Sequence, residues 1–496
     1  MSQSGMSPED IRRIAEAIAQ KLIQSGPPTA SAPRAAGSGS SASAPSAPSA
    51  PPVSLGDGVF GTIDEALKAA KVAFAAFSAI GLAQRKEIIE SMRRSMRQHA
   101  ESLARLAVEE TGLGRVEDKI QKNLLVANKT PGPEELTPQA ISGDHGLMLL
   151  EPAPFGIIGA ITPVTNPPST IICNAIGMIS AGNVVVFNTH PSAKRVSMAT
   201  VRLLNQAIVA AGGPPNVLSC VAEPTLASAA ELMKHPLVRL LVVTGGPGVV
   251  QAAMASGKRA ICGGPGNPPA VVDATADLDQ AGRDIVLGHS FDNNVICVDE
   301  KEVIAVDSIA DALKASMKRH GAVELKASDL GRLEKVIFEK NAGPRGHAVV
   351  NKKLVGKNAS LILQELGIPA GPEVRCVLVE VPNDHPLVWT EQMMPVLPIT
   401  RVKNVDEAID LAVAAEGACY HTATMHSHDL PALSKMAKKC NCSIFVKNGR
   451  AVDGLAVAGE GYTSFTIASP TGEGLTTPRS FSRWRRCTLV DHFRIV

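Results

Sequence analysis

The segment Phe155-Gly156-Ile157-Ile158-Gly159-Ala160-Ile161 decides the fold class. Its apolar residues run without polar alternation, which is typical of a strand that is buried on both faces. A helical stretch from 169 to 180 follows, and then a second apolar strand, Asn183-Val184-Val185-Val186-Phe187. Further apolar runs at 217–221 and 240–243 are also separated by helical stretches. Strands and helices that alternate in this way predict an α/β fold with a parallel sheet, whose ligands bind at the carboxyl ends of the strands.

Capping signals and periodicity place the helices near the start of this region. Thr62 and Glu65 form a capping-box pattern for a helix that runs to about Phe77. A second helical stretch is expected from about 83 to 110, before the turn Thr111-Gly112-Leu113-Gly114.

Composition excludes several classes of function. The 496 residues are 45% hydrophobic and 19% charged, as in globular proteins, and the formal net charge is only +2. Aromatic residues make up 3%, so neither charge nor base stacking points to nucleic acid. No apolar run is long enough to predict a membrane span. The nine cysteines are scattered, which favours reduced thiols in a cytosolic protein over disulfides or a bound metal.

The chain begins with a segment that is distinct from this α/β body. Residues 7–25 form an amphipathic pattern, with Ser7 as the N-cap and an apolar stripe at Ile11, Ile14, Ile18 and Leu22. Residues 27–56 are rich in Pro, Ala and Ser, a composition that predicts a disordered linker. The helix of residues 1–26 could pack on the body or on a second copy. The long linker favours docking in the groove of a partner.

Two glycine-rich turns are candidates for ligand binding. Thr244-Gly245-Gly246-Pro247-Gly248 lies between a strand and a helical stretch, where backbone N–H groups can approach a phosphate. Gly263-Gly264-Pro265-Gly266 forces a fixed irregular path. A tight turn without a ligand is an equally good interpretation of either segment.

Cys297 is the candidate nucleophile. It follows the polar turn Asp292-Asn293-Asn294, which comes after a helical stretch from 278 to 290. A thiol in that place can attack an electrophile in a neighbouring cleft. Taken alone, one cysteine among nine is more simply a buried structural residue.

Taken together, these motifs resemble the aldehyde dehydrogenase superfamily, and within it the CoA-acylating enzymes of bacterial microcompartments. The resemblance covers roughly residues 57 to 496. It implies a Rossmann-type NAD-binding domain at 57–266 plus about 441–475, and an α/β catalytic domain at 267–440. The basic, aromatic tail at 476–496 is then expected to form an oligomer contact.

The resemblance also implies roles for individual residues. Cys297 falls on the nucleophile, and its oxyanion is expected to be stabilised by the backbone N–H of Cys297 and by Thr165 or Asn166. Glu391, in Glu391-Gln392-Met393-Met394-Pro395, is expected to hold the ribose of NAD. The remaining expected contacts of NAD are Thr162, Pro163, His190, Thr244, Gly245, Gly246, Gly263 and Gly264. No metal ligand is expected, and His421 and His426 are expected to be structural.

One departure from the hydrolytic relatives indicates the second half of the reaction. Those enzymes carry a Glu before Leu-Gly-Gly as the base that activates water, and here Ile261 stands in its place, in Ile261-Cys262-Gly263-Gly264. Without that base the acyl thioester survives until a thiol such as coenzyme A takes the acyl group. Another residue could supply the base.

Two C-terminal motifs are similar to those of the microcompartment enzymes. They are Gly459-Glu460-Gly461-Tyr462-Thr463 and Pro470-Thr471-Gly472-Glu473-Gly474. The resemblance therefore implies a short-chain aldehyde, propionaldehyde or acetaldehyde, as the substrate and a homo-oligomer, a dimer or tetramer. It also implies a place in the bacterial cytoplasm, in the lumen of a microcompartment, where residues 7–25 would bind shell or cargo proteins.

Two questions stay open from sequence, the function and the choice of cofactor. A hydrolytic NAD-dependent aldehyde dehydrogenase, a reductase of acyl phosphates and a non-catalytic microcompartment scaffold are the alternative functions. The choice between NAD and NADP is also open, because Asn188, rather than an acid or arginine, follows the second strand.

Overall fold

The computed structural model describes residues 55–496, and the expected helix at 7–25 and nearly all of the linker lie outside these residues. The first sheet has six parallel strands. Their side-by-side order is Val59–Phe60, Leu218–Val221, Val184–Asn188, Ile157–Ile161, Val238–Thr244 and Ala260–Gly263. The two apolar strands that predicted the α/β fold are thus neighbours near the centre, and all of their residues are buried.

The second sheet has seven strands, and all of its pairs are parallel. Their order is Ala322–Glu324, Cys376–Glu380, Val396–Val402, Glu302–Val306, Pro269–Val272, Thr422–His426 and Ile444–Lys447. The last strand differs from the expected division of the chain, which grouped 441–475 with the first sheet. Ile444–Lys447 pairs with Thr422–His426, whereas the later residues Phe465 and Ile467 pack in the core of the first sheet.

A third, antiparallel sheet joins the tail to the middle of the chain. Ser482–Val490 pairs along the whole of Gly146–Pro154, which also pairs with Gln139–Gly143. Most of Ser482–Val490 is exposed. Two short hairpins are formed by Phe338–Lys340 with Val349–Val350, and by Ile467–Ala468 with Gly474–Leu475.

Helices cover the parallel sheets. Those that precede the second sheet are Ile63–Phe77, Leu82–Gln98, Ala100–Thr111, Val116–Lys129, Pro167–Ser180, Lys194–Ala210, Leu226–Lys234 and Pro247–Met254. The helices that alternate with the strands of the second sheet are Leu278–His289, Asp307–Arg319, Leu330–Ile337, Ala359–Glu365, Pro386–Trp389, Val405–Glu416 and Leu430–Cys440. No helix within residues 55–496 combines the length and the apolar character needed to cross a bilayer.

The capping box at Thr62 is present as expected, since Thr62 and Glu65 each bind the backbone N–H of the other. The single helix expected from 83 to 110 is instead two helices that meet at His99. The His99 N–H closes the first helix on the Ser95 carbonyl, and its own carbonyl accepts the Leu103 N–H at the start of the second.

The helix Val116–Lys129 buries a polar face. Asp118, Lys119, Lys122 and Asn123 are all less than 10% exposed. Amphipathic helices usually bury an apolar stripe, so periodicity alone does not predict this one. Its lysines extend toward the turn Phe291–Asn294 of the second half of the chain.

Gly114 lies directly against this turn. It has φ +76°, and a Cβ at this position would overlap the carboxylate of Asp292. Gly343 has nearly the same backbone angle, φ +75°, with open space where its Cβ would be.

This pair gives a matched test of packing around Asp292. Gly114→Ala should lower the midpoint of urea unfolding by more than Gly343→Ala. The left-handed backbone costs about 1–2 kcal/mol in both variants, but only Gly114→Ala also displaces Asp292. Equal midpoints for the two variants, measured by circular dichroism, would contradict the close packing of Gly114 on Asp292.

Candidate active site

A largely apolar cleft of about 440 Å³ lies at the carboxyl ends of the first-sheet strands. Most of the site residues expected from sequence line it. They are Thr162, Pro163, Thr165, Asn166, His190, Thr244, Gly245, Gly246, Gly264, Cys297 and Glu391. Residues from well-separated stretches of sequence therefore meet in one cavity, as expected for ligands at the carboxyl edge of a parallel sheet.

Gly263 is the exception, because it does not line the cleft. Its carbonyl accepts the N–H of Gly245 at 3.1 Å, and a Cβ on it would lie 3.1 Å from the carbonyl oxygen of Ile467. Gly263 thus permits close backbone packing beneath the cleft, and the expectation of a direct NAD contact is not supported by its position.

The turn before the nucleophile has an unusual backbone. Asp292, Asn293 and Asn294 have φ of 47°, 55° and 66° in succession, the left-handed region that Asp and Asn tolerate best after glycine. The side chain of Asn293 accepts from Arg115 Nε at 2.8 Å and donates to the carbonyl of Gly356 at 2.9 Å. Tertiary contacts therefore over-determine a conformation that is costly in isolation.

Lys301 holds the next part of the same loop. Its buried ammonium donates to the Asn294 side-chain oxygen at 2.7 Å and to the carbonyls of Asn294 and Ile296, both at 3.1 Å. The Ile296 N–H in turn donates to Asp299 at 3.2 Å. These bonds fix both the N–H and the carbonyl of Ile296, the residue that precedes Cys297.

Cys297 is partly exposed to the cleft. The pKa of its thiol is raised to about 12, mainly by burial among protein groups and to a smaller extent by the negative charge of Glu391, while Lys301 opposes both effects. The thiol of the free protein is therefore largely protonated at neutral pH, and it needs a change in its surroundings or a base to become a strong nucleophile.

Glu391 lies in the same wall of the cleft. Its own pKa is raised by burial, an effect that Lys301 and the backbone N–H of Gly266 oppose. Gly266 also marks a close approach, because a Cβ there would lie 2.9 Å from the ring of His421 and 3.0 Å from the carbonyl oxygen of Cys297.

The turn that faces the nucleophile is anchored from below by the polar helix. Lys119 Nζ donates to the carbonyl of Thr165 at 3.1 Å, and Lys122 Nζ donates to Asn166 Oδ1 at 2.5 Å. Both ammonium groups also bind the carboxylate of Asp292. Burial lowers the pKa of Lys119 to about 8, in spite of that carboxylate.

The sequence matches the model of the aldehyde dehydrogenase family over residues 58–465. The chain belongs to the aldehyde dehydrogenase family. It is 51% identical over 440 residues to the acetylating acetaldehyde dehydrogenase EutE of Salmonella typhimurium, covering 88% of this chain and 94% of that one.

Solved structures are similar to this aldehyde dehydrogenase over most of its length. The propionaldehyde dehydrogenase of Rhodopseudomonas palustris, with bound CoA and an acylated cysteine, has a TM-score of 0.85 and 48% identity, covering 88% of this chain and 99% of that one. The propionaldehyde dehydrogenase from the fucose utilisation microcompartment of Clostridium phytofermentans has a TM-score of 0.85 and 45% identity, covering 88% and 100%. These findings confirm the α/β aldehyde dehydrogenase fold and the resemblance to the CoA-acylating branch.

The position of the hydrolytic base is apolar in this aldehyde dehydrogenase. Ile261 is fully buried in the core of the first sheet and does not line the cleft. Glu391 is the only carboxylic acid among the cleft-lining residues of the described chain. The cleft therefore offers water one carboxylate as a candidate base, Glu391.

The opposite end of the cleft has features that fit a dinucleotide. Gly246 is the N-cap of Pro247–Met254 and provides no side-chain cap, so the first N–H groups of that helix are available to an anion. His190 lines the cleft, and its Nδ1 accepts the N–H of Ser192 at 3.1 Å. These residues could hold the phosphates and the adenosine part of NAD.

Several buried residues around the cleft have a place in the site that the sequence does not predict. Lys119 and Lys122 belong to a residue type that is usually solvated, so their burial could not be inferred. His421 was expected to be a satisfied structural histidine, but its Nε2 is buried without a partner in the described residues, close to Cys297. The Nε2 of His426 is also buried without a partner within residues 55–496.

The charge of Glu391 gives a test of the electrostatics of the thiol. Glu391→Gln should lower the pKa of Cys297 and raise its rate of alkylation by neutral iodoacetamide at pH 8. An increase of about threefold to tenfold is expected, since one pKa unit changes the thiolate fraction tenfold. Peptide mass spectrometry measures the rate at Cys297 itself.

Glu231→Gln is the matched control, because Glu231 is exposed and does not line the cleft. An alkylation rate for Glu391→Gln equal to that of the control would show that Glu391 does not raise the pKa of Cys297.

Proposed function

We propose that this chain is a CoA-acylating aldehyde dehydrogenase that converts a short-chain aldehyde, propionaldehyde or acetaldehyde, to its acyl-CoA with NAD as the oxidant. The observation that carries the proposal is a cleft that contains one thiol, Cys297, and no second acid at the position of the hydrolytic base. The named activities of the relatives, acetaldehyde and propionaldehyde dehydrogenases, support the substrate class.

Individual residues are assigned to the steps of aldehyde oxidation. The sulfur of Cys297 attacks the aldehyde carbon, and the resulting alkoxide receives hydrogen bonds from the backbone N–H of Cys297 and from the turn at Thr165. Bound NAD would supply the hydride acceptor, and loss of hydride from the addition product would leave Cys297 as an acyl thioester. In this proposal Glu391 would hold the ribose of NAD, and Gly245 and Gly246 would hold its phosphates.

Acyl transfer then requires a second thiol rather than water. The apolar lining limits the entry of water, and Ile261 cannot act as a base. The thiolate of CoA attacks the thioester, and Cys297 leaves as the thiolate. The same turn at Thr165 is available to the alkoxide of this second addition.

Turnover with and without CoA tests this function. Purified protein with propionaldehyde and NAD should form NADH steadily only when CoA is added, and Cys297→Ala should lose turnover by at least about 10³-fold, as expected when a nucleophile is removed. Formation of NADH is followed by absorbance, and that of propionyl-CoA by mass spectrometry.

Cys442→Ala is the matched control, since Cys442 is partly exposed outside the cleft and should leave turnover unchanged. Equal steady turnover without CoA would instead identify a hydrolytic dehydrogenase.

The N-terminal segment is proposed to direct the enzyme to a bacterial microcompartment. The amphipathic pattern at 7–25 and the microcompartment source of one relative support this proposal. A chain that begins at residue 53 should keep its kcat and KM but lose co-sedimentation with purified shells. Retained co-sedimentation would mean that the body carries the docking surface.

The tail is proposed to join copies of the chain in a dimer or tetramer. Ser482–Val490 offers an exposed strand edge, with Trp484 at 47% exposure, which suits pairing with a second copy. Analytical ultracentrifugation of the full chain distinguishes such an oligomer from a monomer.

A further inference from the structure

Two side chains of the turn that faces Cys297 could stabilise an oxyanion. Thr165 has a hydroxyl and Asn166 has an amide, and both residues line the cleft. Their hydrogen bonds to one another and to the helix below decide which group is free to donate.

Lys122 fixes the orientation of the Asn166 amide. A lysine ammonium only donates hydrogen bonds, so the atom that it contacts must be the amide oxygen. Lys122 Nζ lies 2.5 Å from Asn166 Oδ1, and both side chains are almost fully buried. The usual ambiguity between the amide oxygen and nitrogen is thereby removed.

The amide nitrogen then faces Thr165. Asn166 Nδ2 donates to Thr165 Oγ1 at 3.1 Å. Because this bond occupies a lone pair of the hydroxyl, the Thr165 proton must point elsewhere. Thr165 Oγ1 makes no hydrogen bond to an acceptor within residues 55–496, and the residue is half-buried at the cleft.

The backbone of the same residue is fixed independently. Lys119 Nζ donates to the carbonyl of Thr165 at 3.1 Å and to Asp292 Oδ2 at 2.8 Å. Lys122 also binds Asp292, so one buried carboxylate positions both lysines. The hydrogen bonds from Lys122 to Asn166 and from Asn166 to Thr165 form a chain that begins at a positive charge. In a buried region this charge polarises each successive hydrogen bond of the chain.

We propose that Lys122 is a positioning residue that acts through Asn166 and directs the hydroxyl proton of Thr165 into the cleft, which makes Thr165 the side-chain donor to the oxyanion on Cys297. The inference rests on the proposed acyl transfer, and it assigns the donor between two candidates. Asn166 is then an orienting group and the N-cap of Pro167–Ser180.

The test uses variants that reverse or remove single hydrogen bonds. Thr165→Val keeps the shape but removes the hydroxyl, and it should lower kcat for CoA-dependent turnover by about 10²–10³-fold with a small change in KM. Thr165→Ser keeps the hydroxyl and should stay within about threefold of the parent enzyme, since its donor is retained.

Asn166→Asp tests the relay, that is, the chain of hydrogen bonds from Lys122 through Asn166 to Thr165. The carboxylate still accepts from Lys122, but its second oxygen faces Thr165 as an acceptor and turns the hydroxyl proton away from the cleft. The kcat of Asn166→Asp should therefore fall nearly as far as that of Thr165→Val. In the double variant that combines Thr165→Val with Asn166→Asp, kcat should be no lower than in Thr165→Val alone.

Additive losses in the double variant would overturn the relay, because the new charge would then act directly on the oxyanion. A parent-like kcat for Thr165→Val would show that Thr165 is not the donor. Midpoints of thermal unfolding, measured for every variant, separate a loss of fold from a loss of the donor. Lys122→Met is a second probe, and it should lower kcat in the parent but not in the Thr165→Val background.

The ratio of turnover with and without CoA is measured in the parent enzyme as well. Turnover that is independent of CoA would refute the acyl transfer, whatever the variants show. Turnover that depends on CoA, together with additive losses, would refute the relay alone.

Discussion

The buried carboxylate of Asp292 is the interaction on which the geometry of the site depends. Oδ1 accepts the N–H of Arg115 at 2.7 Å, and Oδ2 binds the ammonium groups of Lys119 and Lys122. One lysine then holds the backbone of Thr165 and the other holds the side chain of Asn166. The loop of the nucleophile and the turn that faces it are thus positioned by the same group. Loss of one partner from such a cluster leaves uncompensated buried charge, which typically costs about 3–5 kcal/mol.

Much of the fold could be predicted because apolar runs report burial directly. The central strands Ile157–Ile161 and Val184–Asn188 carry continuous apolar residues, and their pairing follows. The helix Val116–Lys129 could not be predicted in the same way, because the residues that it buries are charged and find their partners far away in sequence. The break at His99 gave no signal either, since neither glycine nor proline marks it and helical residues continue on both sides.

The residues of the candidate site could be predicted where they lie at the carboxyl end of a strand. Thr162 and Thr244 meet because the strands Ile157–Ile161 and Val238–Thr244 are parallel neighbours, so their carboxyl ends share one edge of the sheet. Cys297 reaches the same cleft from a loop that follows the helix Leu278–His289. Tertiary neighbours were not predictable. The sequence around Gly263 resembles a contact with NAD, yet the backbone of Ile467 packs against it. The apolar flanks of His421 predict a structural role, but they do not predict that Gly266, more than 150 residues earlier in the chain, packs against both its ring and the carbonyl of Cys297.

The fate of the thioester depends on whether another carboxylate replaces the absent base. Three acids that are buried in the loop of Cys297 each have at least one hydrogen-bond partner, although Asp299 Oδ1 and Glu300 Oε2 have none within residues 55–496. Asp292 is bound by two lysines, Asp299 accepts the N–H of Ile296, and Glu300 accepts the N–H of Ala451 at 2.7 Å. None of these three lines the cleft. Burial raises the pKa of Glu300 to about 8, so most of that carboxyl is protonated at pH 7 and cannot accept a proton. The replacement of one acid by Ile261 is therefore not compensated by these neighbours, which supports the proposed transfer of the acyl group to a thiol rather than to water.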